Sequence, residues 1–242
     1  MPCLGGVVVA PMSASVQAFG HLFRIGKTML SYKLLKNRAG LLLIGDYTSL
    51  QCLHEVVHDI NERSPLIADK EGAFLGLAYE VRKAFERQRQ VLKPAKGYEE
   101  MGVRYGAELL WPVLLLQQRL LRQSLGYVDH GKGHQAMAYA LEAVIEDGLE
   151  EDFGIAGESV IALWQRIDMT HPDVLPKLDS RGGIFCSWTK AQRTKRFVEL
   201  LDSFDPAYES HYRLRASRGD PDLLSPTELA QWEGMEWPDP RW

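Results

Sequence analysis

The stretch with the most definite chemistry in this chain is His54-Glu55-Val56-Val57-His58. Histidines four residues apart share one face of a helix. Neutral imidazoles at that spacing can hold one Zn²⁺ while the glutamate between them activates a bound water. In that reading His54 and His58 are metal ligands and Glu55 is the base of a zinc hydrolase. A third ligand is needed. Glu80, 22 residues beyond His58 on the next expected helix, suits the role, and Glu71 is a weaker choice.

Helix geometry gives a second reading. With Leu50 at zero and ~100° per residue, Leu53, Val56, Val57 and Ile60 gather near roughly 300°. On the same wheel His54 falls at about 40°, His58 at about 80° and Glu55 at about 140°. The motif therefore occupies the polar side of an amphipathic helix, which suits a solvated face as well as a covered cleft. The flanks depart from the zincin metalloproteases. Gln51 stands where that family usually has a small or aliphatic residue, and Cys52 where it disfavours cysteine. The likeness is confined to residues 54–58.

Three other groups carry possible chemistry. "TKAQRTKRF", 189–197, places Lys190, Arg193 and Arg196 at helical spacing with Lys195 beside them. That is either a nucleic-acid or phosphate surface, extended by Arg213, Arg215 and Arg218, or the solvated side of a helix whose buried side is Phe197, Val198, Leu200, Leu201 and Phe204. "DHGKGH", 129–134, sets His130, Lys132 and His134 in a glycine-rich linker that could cradle an anion or simply turn between helices. Trp232, Trp237 and Trp242 end the chain beside Pro238 and Pro240. Side chains of that size either fold back on the body or dock on a partner. No Ser-His-Asp order, nucleotide fingerprint or cysteine nucleophile setting stands out.

The elements that must position these residues can be read from periodicity. Residues 29–47 read as a β-hairpin around Lys36–Gly40. A helix follows from Thr48 or Ser49 to about Glu62, with Thr48 and Gln51 as a capping box. Residues 71–92 read as a second helix, since Phe74, Leu77, Ala78, Val81, Ala84 and Phe85 recur at three- and four-residue steps. A short strand within 98–110 precedes a helix from Pro112 to Ser124, which Gly126 ends. Further helices are expected at 134–149, 157–168 and 189–204, the last capped by Thr189 and Gln192. The stretch "THPDVLPKLDSRGG" between the last two reads as loop. Ser225, Pro226 and Glu228 mark one more helix start.

The whole is an α+β protein, mostly helical, with a small N-terminal hairpin or sheet packed on a helical body. Residues 1–28, including a possible strand at Val7–Val9, form an extension. Residues 29–150 form an α+β core domain, and 151–242 a mainly helical C-terminal region with a tryptophan-rich tail.

Composition bounds the setting. The 242 residues are 45% hydrophobic and 25% charged, with net charge −4, so neither nucleic-acid nor membrane binding is a global property. The most apolar run, "LLWPVLLL" at 109–116, is far short of the ~20 residues of a membrane span. Residues 1–20 hold no lysine or arginine and Pro11 interrupts their apolar run, so a signal peptide is not expected. Cys3, Cys52 and Cys186 are odd in number and scattered, which fits a reducing, cytoplasmic compartment.

Three stretches, "GDYTSLQCLHEVVHDI", "LGLAYEVRKAFE" and "YGAELLWPVLLLQQRLLRQSLGY", resemble an uncharacterised family of small bacterial proteins. The resemblance spans about residues 29–149. It implies a bacterial cytosolic protein and transfers no activity or site residue. The leading expectation is a non-catalytic accessory protein that works with another protein and needs no cofactor. The alternatives are a zinc hydrolase at His54, His58 and Glu80, and a nucleic-acid binder at helix 189–204.

Overall fold

Leu35 and Gly40 close the first hairpin: the Leu35 N–H donates to the Gly40 carbonyl at 3.0 Å. Asn37 and Arg38 turn the chain with φ of 56° and 55°, values that asparagine tolerates better than most residues. The flanking runs become β1 (Leu30–Leu34) and β2 (Gly40–Gly45). The computed structural model describes residues 29–94, 96–97 and 99–240. The extension 1–28, with Val7–Val9 and Cys3, and Trp242 at the end of the tail lie outside the described residues.

The sheet has four antiparallel strands in the order β1-β2-β4-β3, where β3 is Gln90–Leu92 and β4 is Arg104–Leu110. All six residues of β2 are buried, as their unbroken apolar run requires. A Cβ on Gly40 would lie 1.9 Å from the Leu109 carbonyl oxygen, so only glycine lets β2 and β4 approach this closely.

Helix α1 (Tyr47–Arg63) follows β2, and α2 (Leu75–Phe85) packs against it. The first cap differs from expectation. Asp46, not Thr48, caps α1, accepting from the Ser49 N–H at 2.8 Å. Asp46 sits one residue before the helix with extended backbone, where a carboxylate reaches the free amides of the first turn. The second helix also ends sooner than the apolar spacing indicated. Arg87 takes φ 65°, its N–H donates to Ala84 and the Gln88 N–H donates to Lys83. That pair of bonds is a Schellman stop, made here without the usual glycine. Residues 90–92, read as helix, are the edge strand β3 instead.

Helix α3 (Trp111–Ser124) starts with Pro112 in its first turn, and α4 (Lys132–Phe153) runs longer than expected at both ends. Helices α5 (Gly157–Arg166), α6 (Leu178–Ser187), α7 (Lys190–Asp202), α8 (Tyr208–Ser217) and the short α9 (Pro226–Ala230) complete the body. The Thr189–Gln192 capping box is formed, and Ser225 caps α9. Helix α6 lies where a proline- and glycine-rich loop was expected, and α8 was not foreseen.

One apolar cluster draws on residues from Leu30 to Leu229, on both sides of the acidic stretch near 150. Its largest members keep their polar atoms satisfied. Trp111 Nε1 donates to Asp152 at 2.9 Å and Trp164 Nε1 to the Leu115 carbonyl at 2.8 Å. Among the described residues no helix is long and apolar enough to cross a membrane.

Candidate functional site

Helix α1 delivers the histidine pair as its periodicity requires. Leu53, Val56, Val57 and Ile60 are buried, Glu55 and His58 are exposed, and His54 is half-buried. The His54 and His58 ring centroids are 4.4 Å apart, and Phe85 of α2 meets His54 edge-on at 5.8 Å. Burial, then the neighbouring His58 and Arg82, hold the His54 pKa below the ordinary histidine value. Glu55 accepts from Gln51 at 3.1 Å.

Glu80 is paired within the fold. Its carboxylate is clamped by Arg89, at 2.7 Å from Nε and 2.9 Å from Nη2. Glu71 is exposed. Among the described residues no group of three or more histidine, cysteine, aspartate or glutamate side chains is arranged to hold a metal ion.

The basic segment is dispersed rather than massed. Arg193 is fully buried, with donor bonds to the carbonyls of Phe185, Asn37 and Cys186 and its guanidinium 4.7 Å over the Phe185 ring. This corrects its placement on a surface: its helical phase is that of Phe197 and Leu200. Arg196 makes a two-pronged pair with Glu228, both bonds 2.8 Å. Lys195 pairs with Asp222 at 2.8 Å, while Lys190 is exposed. Arg215 bonds Glu199, Asp202 and Asp220.

In the 129–134 linker, Lys132 opens α4 and His134 bonds Asp59 at 3.0 Å. Burial pushes the Asp59 carboxyl up, but bonds from Arg63 and His134 outweigh it and hold it below its usual value. His130 contacts the Val128 carbonyl at 2.8 Å.

The tail lies against α6. A Cβ on Gly182 would fall 2.1 Å from the Trp237 ring, and one on Gly183 would fall 2.9 Å from Trp232. Asp179 accepts from the Gly234 N–H at 2.7 Å and from Trp237 Nε1 at 3.3 Å. The glycines that looked like loop signals are therefore the seat of the two tryptophans.

Packing Trp237 on α6 builds a feature that sequence reading missed: a cleft of about 1060 Å³. Gly72 and Ala73 of the turn before α2, and Gly76 of its first turn, form one side. One wall is the end of β4, Glu108 to Leu110, continued by Val113 and Gln117 of α3. The facing wall is Met169, Leu175, Leu178 and Trp237. The lining is mainly apolar, and its charged members are Asp69, Glu80, Arg89, Glu108 and Asp179. Gln117 is 3% exposed. Its Nε2 donates to the Ala73 carbonyl at 2.7 Å, and its Oε1 has no partner among the described residues. Glu108 accepts from Gln90 at 2.5 Å.

The lining includes no serine, cysteine or lysine among the described residues. The Cys186 thiol is buried elsewhere in α6, and burial pushes its pKa up to about 11, which makes it a poor thiolate. Sequence signals for the cleft existed in the closely spaced Gly72, Ala73 and Gly76, but the overlong second helix concealed β3 and the short sheet edge beside it.

A family model for a domain of unknown function, DUF6904, matches residues 30–224. No curated protein and no solved structure matches the chain.

Proposed function

The chain belongs to the DUF6904 family, a premise that brings no activity with it, and we propose from its own geometry that it is a non-catalytic accessory protein that holds part of another protein in the cleft between α2, β4 and α6. The carrying observation is the cleft itself: about 1060 Å³, mainly apolar and rimmed by a few polar groups, the usual anatomy of a binding site. Two further placements support the reading. Among the described residues no third ligand is grouped with the histidine pair, and Arg193, Arg196 and Lys195 of α7 each have partners in the fold. The setting belongs to the same proposal: a bacterial cytosol, which the unpaired Cys52 and Cys186 suit. No cofactor enters this reading.

The test uses the full chain and a phage-displayed library of short random peptides. Gly76→Leu serves as the blocking variant, because a Cβ there meets only Gln117 Nε2, at 3.4 Å, while a longer side chain fills the cleft. Selected peptides are expected to lose at least about tenfold in affinity on Gly76→Leu and on Val113→Asp. Binding that survives both variants contradicts the reading.

Zinc-dependent hydrolysis is the second reading, carried by the 4.4 Å approach of His54 and His58. About one zinc per chain in protein purified without added metal, lost in His54→Ala and His58→Ala, would favour it over the first. A nucleic-acid role for α7 would show as salt-dependent binding that weakens in Lys190→Ala and Lys195→Ala.

A further inference from the structure

The sheet beside the cleft is incomplete in a way that specifies an occupant. The Trp111 N–H donates to the Ala39 carbonyl at 3.0 Å, directly after the register pair Gly40–Leu110. Main-chain groups alternate sides along a strand. Leu109, Ala107 and Tyr105 therefore turn theirs toward β2, while Leu110, Glu108, Gly106 and Arg104 turn theirs away from it. The Leu35–Gly40 bond on the opposite side of β2 fixes the same phase.

On the outer side β3 reaches only part of β4. Leu92 stands opposite Arg104, Val91 opposite Tyr105 and Gln90 opposite Gly106. Before Gln90 the chain departs into the Schellman stop of α2 at Arg87. The outward N–H and carbonyl of Glu108 and the N–H of Leu110 lie beyond the end of β3. Among the described residues no main-chain hydrogen bond from another segment reaches Glu108 on that side. Glu108, Leu109 and Leu110 are also the cleft wall. A sheet edge normally invites pairing unless something covers it.

We propose that the occupant of the cleft is an extended, basic segment of another protein, which pairs as an added strand with β4 at Glu108 and Leu110, in line with β3. This rests on the reading of the cleft as the binding site and adds the conformation and charge of its ligand. The open edge, Ala107–Leu110, is roughly 13 Å long at ~3.3 Å per residue, enough for about three main-chain bonds. Alternate side chains of such a strand would fall toward the apolar lining at Gly76 and Val113, which gives specificity. Charge sets the rest. The lining carries Asp69, Glu80, Glu108 and Asp179 against Arg89 and the titratable His171, and Arg89 is already paired with Glu80. A lysine or arginine near Glu108 meets that imbalance.

The probe is a peptide selected on the full chain whose binding is lost in Gly76→Leu. Its backbone amides are N-methylated in two alternate series. The series facing β4 is expected to weaken binding by about tenfold or more, and the other series by under about twofold, because only one phase donates to the edge. Glu108→Gln and replacement of the peptide's basic residue by norleucine should each weaken binding, and the paired changes should be less than additive. Equal effects of the two methylation series, with binding still sensitive to Gly76→Leu, overturn strand pairing and leave the cleft reading standing. If no selected peptide is sensitive to Gly76→Leu, both fall.

Discussion

Helix α7 and the outer edge of β4 are both rich in polar groups and treat them oppositely. In α7 three of the four groups that looked available are engaged: Arg193 caps carbonyls in the core, Arg196 is clamped by Glu228, and Lys195 meets Asp222, while Lys190 is exposed. In β4 the sequence advertises nothing, yet the Glu108 main chain lies at the cleft with no bond from another segment on its outer side among the described residues. A charged sequence is thus a poor guide to binding where the fold supplies counter-charges. Unused main-chain groups beside apolar space are a better one.

The comparison breaks most sharply at Arg193. Replacing it with alanine should cost about 3 kcal/mol or more, since it removes a buried cation and orphans several carbonyls. Lys190→Ala and Lys195→Ala should stay within about 0.5 kcal/mol. Urea unfolding of the three variants decides it. A neutral Arg193→Ala would mean that its side chain is a surface group after all.

Trp237 gives the next largest effect. A fully buried tryptophan costs about 3–5 kcal/mol to truncate, and this one is half-buried, so about 1–3 kcal/mol is expected for Trp237→Ala. Gly182→Ala should destabilise as well, because its Cβ would strike the ring. In the Trp237→Ala background the same Gly182→Ala change should become neutral or stabilising, as alanine suits a helix better than glycine. Simple additivity would show that the tail does not sit on α6.

His54 gives the smallest effect. Burial lowers its folded pKa, so the unfolded chain binds the extra proton first as pH falls. Stability should therefore decline on acidification from the ordinary histidine value of about 6.5 downward. Urea midpoints at about pH 7.5 and about pH 5.5 should differ less in His54→Gln than in the parent chain. An unchanged difference would remove the desolvated histidine from the account.

What was legible in the sequence followed local rules. The hairpin turn, the Thr189–Gln192 box, the Ser225 cap and the buried stripe of α1 all depend on residues within a few positions of each other. The failures were of two kinds. Arg87 stops α2 in a conformation that usually signals itself by glycine, so β3 was absorbed into the helix. Gly182 and Gly183 read as loop because their purpose, room for Trp237 and Trp232, is supplied by residues about fifty positions away. The histidine pair was placed correctly on its polar face. The partner of Glu80 was not legible, because the Arg89 that bonds it arrives only after the chain leaves α2. The cleft combines α2, β4, α3, α6 and the tail, so no single stretch could announce it.

The central claim is that binding happens at the cleft edge and not on α7 or at the histidines. Amide chemical-shift mapping of the full chain, titrated with a peptide selected as above, tests it most directly. The account expects the shifts to concentrate at Gly72–Gly76 and Glu108–Leu110. Shifts confined to His54–His58 or to Lys190–Arg196, with the Glu108 amide unmoved, would contradict it.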